Sequence, residues 1–196
     1  MLIEFMLGFS LQWRNELEES ERLLQSSLQK SERAGDVVLQ SRCLTYLALV
    51  ARKRRDDARL RQLVDCCLVV AEAAGMVEYT GVAKANLGWL AWRRKDFEET
   101  LRLGSEARDI FTSLPMTGPN WWTCCFPMID ALLHLDRAPE ALELAEILTR
   151  PNQHALTEPL MESLQRAVQL AGEARQDDAQ RELQLSCRLA QENLFL

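Results

Sequence analysis

The sequence predicts an all-α chain of about five antiparallel helical hairpins stacked as a solenoid. Three observations lead there. Sequence features recur with a period near 40 residues, which is the signature of a repeat architecture. Apolar residues between the recurring features follow helical spacing, with no convincing period-two strand. The 196 residues are 47% hydrophobic and 27% charged, an ordinary globular composition, and a chain of this length buries enough surface to need no staples.

Glycines mark the repeat first. Ala34-Gly35-Asp36 and Ala74-Gly75-Met76 lie 40 residues apart. A glycine just past a helix supplies the left-handed position that closes it, and Asp36 then caps the next helix. Gly8, Ala48 and Gly88 are small, 40 apart, and each follows a leucine (Leu7, Leu47, Leu87). Ala51, Ala91 and Ala171 share the lattice, preceded by Val50, Leu90 and Leu170. Small residues at fixed helical positions admit a neighbouring helix at close range. Polar turns recur at Arg14-Asn15, Arg55-Asp56, Lys95-Asp96, Asp136-Arg137 and Gln176-Asp177, with intervals of 41, 40, 41 and 40.

These signals place the elements in order. The first hairpin pairs 1–14 with 16–34, where Leu17, Leu24 and Leu28 form a helical stripe beside Leu23. The second pairs 37–54 with 57–74, between the two glycine turns. The third pairs 77–94 with 96–113, carrying Phe97, Leu101, Ala107 and Phe111 on its second helix. A connection of another kind, Leu114-Pro115-Met116-Thr117-Gly118-Pro119-Asn120, follows it, and a change in superhelix direction is expected there. The fourth hairpin pairs 121–135 with 137–149, and Pro127 should kink or shorten its first helix. The fifth pairs 158–174 with 177–193, after Pro151, with Thr157-Glu158-Pro159 as its start. A 17-residue helix spans about 26 Å. One such hairpin cannot bury its apolar face alone, so a single continuous domain over 1–196 is expected.

Several functions are disfavoured at this stage. A formal charge of −6 and a pI near 5.1 argue against direct nucleic-acid binding. Residues 110–129 are uncharged, but Pro115, Gly118, Pro119, Asn120 and Pro127 would break a membrane span. Glu4 interrupts the early apolar run and the first basic residue is Arg14, so no signal peptide is read and a cytoplasmic location is expected. Cys43, Cys66, Cys67, Cys124, Cys125 and Cys187 form no C-x-x-C pair and read as reduced, mostly buried thiols. His134, one turn after Asp130, and His154, four residues before Glu158, each offer too few ligands for a metal. Adjacent acidic pairs such as Glu18-Glu19, Glu98-Glu99 and Asp177-Asp178 diverge on a helix and make no general acid/base pair. No enzyme, cofactor or metal site is therefore expected. The basic run Arg52-Lys53-Arg54-Arg55 reads as a solvated hairpin end, and Trp121, Trp122 and Phe126 as filler beside the irregular connection.

Gly88, Ala91 and Lys95-Asp96-Phe97-Glu98-Glu99-Thr100-Leu101 resemble a tetratricopeptide repeat, with Lys95 and Thr100 standing where that family has glycine and alanine. The likeness covers most of 1–113, and the period is longer than the family's usual one. It implies a right-handed solenoid whose first helices line a concave face. Residues 121–196 resemble the C-terminal repeat tail of bacterial signalling regulators that carry a STAND- or AAA-type ATPase, often with a nucleotide cyclase. The segment Pro151-Asn152-Gln153-His154-Ala155-Leu156-Thr157-Glu158-Pro159-Leu160 and the ending Arg188 to Leu196 carry that likeness. His154 and Thr157 depart from the tail's pattern. No P-loop is present in this chain.

Anchored on Gly88, the concave positions implied by the resemblance are Trp89, Trp92 and Arg93 in the third hairpin. In the second they are Arg42, Thr45, Leu49, Arg52 and Lys53, and in the first Phe5, Phe9, Gln12 and Trp13. Aromatics beside arginines anchor a protein or peptide segment well. The expected function is a non-catalytic interaction or scaffold module, the regulatory tail of a larger regulator, whose partner is a peptide segment or the upstream domains of its own polypeptide. The alternative is a small-molecule-sensing regulatory domain, which would need an enclosed pocket. Exposed apolar residues in the first hairpin (Leu2, Phe5, Phe9) would favour self-association or docking onto upstream repeats.

Overall fold

The structure, a computed structural model, describes residues 1–114, 120–150 and 156–196. Among these residues there are ten α-helices and no strand. They are α1 (Leu2–Trp13), α2 (Leu17–Ala34), α3 (Val37–Lys53), α4 (Asp57–Ala73), α5 (Val77–Arg93), α6 (Phe97–Ser113), α7 (Trp122–His134), α8 (Ala138–Leu148), α9 (Glu158–Gly172) and α10 (Gln176–Glu192). Consecutive helices pack on one another from α1 to α4 and from α6 to α10, so the fold is the all-α helical repeat that the period predicts. No helix among the described residues is long and apolar enough to cross a membrane.

The repeat is visible as one turn made five times. Asn15, Arg55, Lys95, Asp136 and Ala174 all sit in the left-handed region, with φ between 56° and 60°. After each, the next backbone N–H closes back on the carbonyl five residues earlier. Glu16 bonds Leu11 at 3.0 Å, Asp56 bonds Ala51 at 3.0 Å and Asp96 bonds Ala91 at 3.0 Å. Arg137 bonds Leu132 at 2.9 Å and Arg175 bonds Leu170 at 3.0 Å. This closure satisfies carbonyls that a helix end leaves unpaired. Between hairpins, Gly35 and Gly75 take the left-handed position, as their sequence spacing predicts. Asp36, Asp56 and Asp96 then accept from the backbone N–H three residues on, at 2.9, 2.9 and 3.2 Å.

The fifth turn differs from expectation. The sequence places it at Gln176-Asp177, but α10 already begins at Gln176 and the left-handed residue is Ala174. Asp177 and Asp178 lie in the first helical turn, where the positive end of the helix dipole favours acids, and Asp178 pairs with Arg175 at 2.7 Å. Pro127 is accommodated: α7 runs through it, buried, and has 13 residues against 17 for α3 and α5. Residues 115–119 of the irregular connection, with the expected change of superhelix direction, lie outside the described residues. So do Pro151 to Ala155, including His154.

The backbone divides into two compact units, residues 1–86 and 87–196, with the division inside α5. In the first unit, α3 packs on both α1 and α2. The small residue at Gly8 is required there: a Cβ would stand 2.8 Å from Leu24 Cγ and 3.2 Å from the Ser20 carbonyl. The Ser20 hydroxyl uses this close approach to donate to the Gly8 carbonyl at 2.7 Å. In the second unit, a Cβ on Gly88 would lie 3.4 Å from both the Gly104 nitrogen and the Thr100 carbonyl. Trp121, Trp122 and Phe126 are buried, as read from the sequence. Trp121 packs on Phe111 at 5.7 Å, and the C-terminal Phe195 lies 5.2 Å from Trp122 and 6.0 Å from Phe126.

The basic run is a correction. Arg52 and Lys53 are buried, at 2% and 5% exposure, and are not a solvated end. The Arg52 Nη1 donates to Asn86 Oδ1 at 3.2 Å. Lys53 Nζ donates to the Gln12 carbonyl at 2.9 Å and to Asn15 Oδ1 at 2.8 Å, and lies 5.4 Å from the Trp13 ring. It thus holds the C-terminal end of α1 from the end of α3, where a cation suits the helix dipole.

Candidate functional site

Of the eight residues predicted to bind a partner, three are buried and five reach the surface of their own unit. Leu49, Arg52 and Trp89 are buried, at 0%, 2% and 1% exposure. Each lies on the arc of its helix that other side chains cover, which helical spacing from a single anchor residue does not resolve. The remaining five fall into two groups, one in each unit.

In the first unit, Phe9, Trp13 and Arg42 are half-buried. Phe9 meets Tyr46 edge-on at 4.8 Å and Trp13 at 6.3 Å, and Phe5 meets Tyr46 at 5.8 Å. Phe5, Met6, Phe9, Arg42, Tyr46 and Tyr79 line an open cleft of about 190 Å³. Burial pushes the Tyr79 hydroxyl up, and the nearby Arg42 guanidinium opposes that shift. Phe5 is 5% exposed and belongs to this packing, so it is not the exposed residue expected of the first hairpin.

In the second unit the groups converge better. Trp92 Nε1 donates to Asp130 Oδ2 at 2.6 Å, which ties the end of α5 to the middle of α7. His134, one turn later, stacks on Phe97 with ring centroids 4.7 Å apart. Its Nδ1 lies 2.9 Å from the Asp130 carbonyl. A carbonyl only accepts, so in the neutral ring the proton belongs on Nδ1 and Nε2 is left as an acceptor. Arg93 is exposed and lies 5.5 Å from the Trp89 ring. Trp92, Arg93, Lys95, Phe97, Asp130, His134 and Gln191 line a groove of about 250 Å³. A second depression of about 300 Å³ shares Asp130, His134 and Gln191 and adds Leu133, Gln184, Cys187 and Arg188. Burial, and then the neighbouring Asp130 carboxylate, push the Cys187 thiol well above its ordinary range.

The floor of this groove is aromatic (Trp92, Phe97, His134) and its rim carries the cations Arg93, Lys95 and Arg188. The Asp130 carboxylate accepts from the Trp92 indole and lies 3.5 Å from His134 Nδ1. Of the residues lining this groove, sequence reasoning named Trp92 and Arg93 as partner-binding. It read Asp130 and His134 as a structural pair and did not join them to Trp92, which lies 38 residues from Asp130. The available signal was positional: all three stand near the polar hairpin turns at Lys95 and Asp136. Compared with protein-family models, curated proteins and solved structures, the chain matches none significantly.

Proposed function

We propose that this chain is a non-catalytic protein-interaction module whose groove along Trp92, Phe97, Asp130 and His134 holds a partner segment. The observation that carries the reading is the Trp92 indole fixed by its 2.6 Å bond to Asp130. An aromatic held in place before binding loses little conformational freedom on contact, which makes it an efficient anchor. With Arg93, Lys95 and Arg188 around it, the groove favours a segment that joins an apolar side chain to carboxylates.

The test pans a displayed peptide library against the full chain and against Arg93→Glu with Lys95→Glu. Both positions are exposed, so the fold should persist with an unchanged Tm. Peptides recovered on the unaltered chain should be enriched in acidic and apolar residues and lose about tenfold or more in affinity for the double variant. Equal binding to both proteins would remove the groove from the proposal.

We further infer a tetratricopeptide-like repeat acting in the cytoplasm as the scaffold or sensory tail of a larger bacterial signalling regulator. Its support is local: Lys95-Asp96-Phe97 forms a capped hairpin turn, and Gly88 sits where two helix backbones approach. An immunoblot on source cells reads the size of the native product. A band near 22.4 kDa would count against the tail reading, and a much larger one would favour it.

A further inference from the structure

Large exposed apolar side chains are unevenly distributed over the described residues. Met1, Leu2, Ile3, Met6, Leu7, Val37, Val38, Val69 and Val77 are the exposed set, and five of these nine fall within the first seven residues. The four valines are scattered, as is ordinary for a surface. On α1 the residues Leu2, Ile3, Met6, Leu7 and Ser10 occupy one arc about 140° wide at 100° per residue. Leu2, Ile3, Met6 and Leu7 are 55%, 76%, 53% and 52% exposed.

The repeat itself says what such an arc is for. Forty residues on, Ile3, Leu7 and Ser10 correspond to Cys43, Leu47 and Val50 of α3, which are 0%, 2% and 1% exposed. Those side chains are covered because α3 packs on α1 and α2. The α1 arc is therefore a helix-packing surface that none of the described residues covers. The arc also carries no charge. Glu4, the acid of α1, lies off it and pairs with Lys30 at 2.5 Å and with the N-terminal amine at 3.1 Å. The exposed face of α2 cannot serve as the cover, because it presents Glu18, Glu19 and Arg22. That of α10 presents Arg181, Gln184 and Arg188. Unlike those two faces, the α1 arc of a second copy is an uncharged match.

We propose that α1 pairs with α1 of a second copy of this chain about a two-fold axis, burying Leu2, Ile3, Met6 and Leu7 of both. A two-fold contact needs one self-complementary patch, and an apolar stripe free of charge is self-complementary on a chain whose net charge of −6 otherwise repels its copy. Four large apolar side chains each more than half exposed form a patch on the order of the 300–600 Å² that is the most a monomer ordinarily leaves bare. Two such patches approach the ~1,000 Å² that a specific interface requires.

The experiment is sedimentation velocity on the full chain, reduced to keep Cys66 from crosslinking, from about 1 to 100 μM. The mass should rise with concentration toward twice 22.4 kDa. Ile3→Lys with Leu7→Lys should stay at the single-chain mass, with at least a tenfold weaker dissociation constant and an unchanged helical spectrum and Tm. Val69→Lys, an equally exposed apolar site on α4, should associate like the parent chain. A single-chain mass throughout, a dimer that survives the α1 substitutions, or equal dissociation by Val69→Lys would each overturn the proposal.

Discussion

At the scale of single residues, the five hairpin turns hold side-chain-bearing residues in a conformation that costs an L-residue about 1–2 kcal/mol. Ala174 is the clearest case, since its methyl group adds little to offset a φ of 60°. Glycine removes that penalty and gives back part of the gain through its freer unfolded chain. Ala174→Gly should therefore raise stability by about 0.5–1 kcal/mol, read as a higher denaturant midpoint at constant slope. Lys53 offers a second test, because burial holds its ammonium down to about 8, below the ordinary lysine value of 10.5. Between about pH 8 and 10.5 the unfolded chain binds the proton that the native chain has released, so stability from this group rises with pH. The stability difference between the parent chain and Lys53→Met should grow in the parent's favour across that window, by on the order of 3 kcal/mol at most. Other titrating groups are common to both proteins and cancel. A flat difference would mean that water reaches Nζ.

At the scale of elements, most of the fold is legible in the sequence because each helix announces its own ends. The glycine at 35, the aspartates at 36, 56 and 96 and the polar turns at 15, 55, 95 and 136 are local signals, and the helices start or stop within about two residues of them. Asp56→Ala and Asp96→Ala should each cost about 1 kcal/mol, since each removes an acceptor from a helix N-terminus, and a chemical melt of each variant would read it. Gly8→Val should cost about 1–3 kcal/mol through overpacking against Leu24, measurable in the same way. The proposed binding residues are less legible. Trp89 and Trp92 are three residues apart on one helix, yet one is buried and the other opens onto a groove. What separates them is Asp130, contributed by a helix two elements later. Arg52 and Lys53 fail for the same reason: a run of four basic residues reads as solvent-facing until Asn86 and the end of α1 are brought against it. Period and capping are written in neighbouring residues, whereas burial of a polar side chain depends on partners far along the chain.

At the scale of the whole molecule, the cysteines report on the packing of both units. Cys43 and Cys67 lie buried in the first unit, and Cys124, Cys125 and Cys187 in the second, while Cys66 is exposed and all six are free thiols. A thiol reagent should therefore modify one cysteine per native chain quickly and all six in denaturant. More than one fast thiol would show that one of the cores opens readily. The same burial fixes how stability depends on alkaline pH. Burial pushes the thiols of Cys43, Cys67 and Cys187 up, and the neighbouring Cys124, then burial, does so for Cys125. In the unfolded chain they ionise near pH 8.5, so above that pH the native state binds more protons than the unfolded one. Stability should fall as the pH rises beyond about 8.5, and the single opposing group, Lys53, is outnumbered by these four thiols. Denaturant melts at pH 7.5 and 9.5 should show a lower midpoint at the higher pH. Cys187→Ala should reduce that loss even though it lowers stability at both pH values.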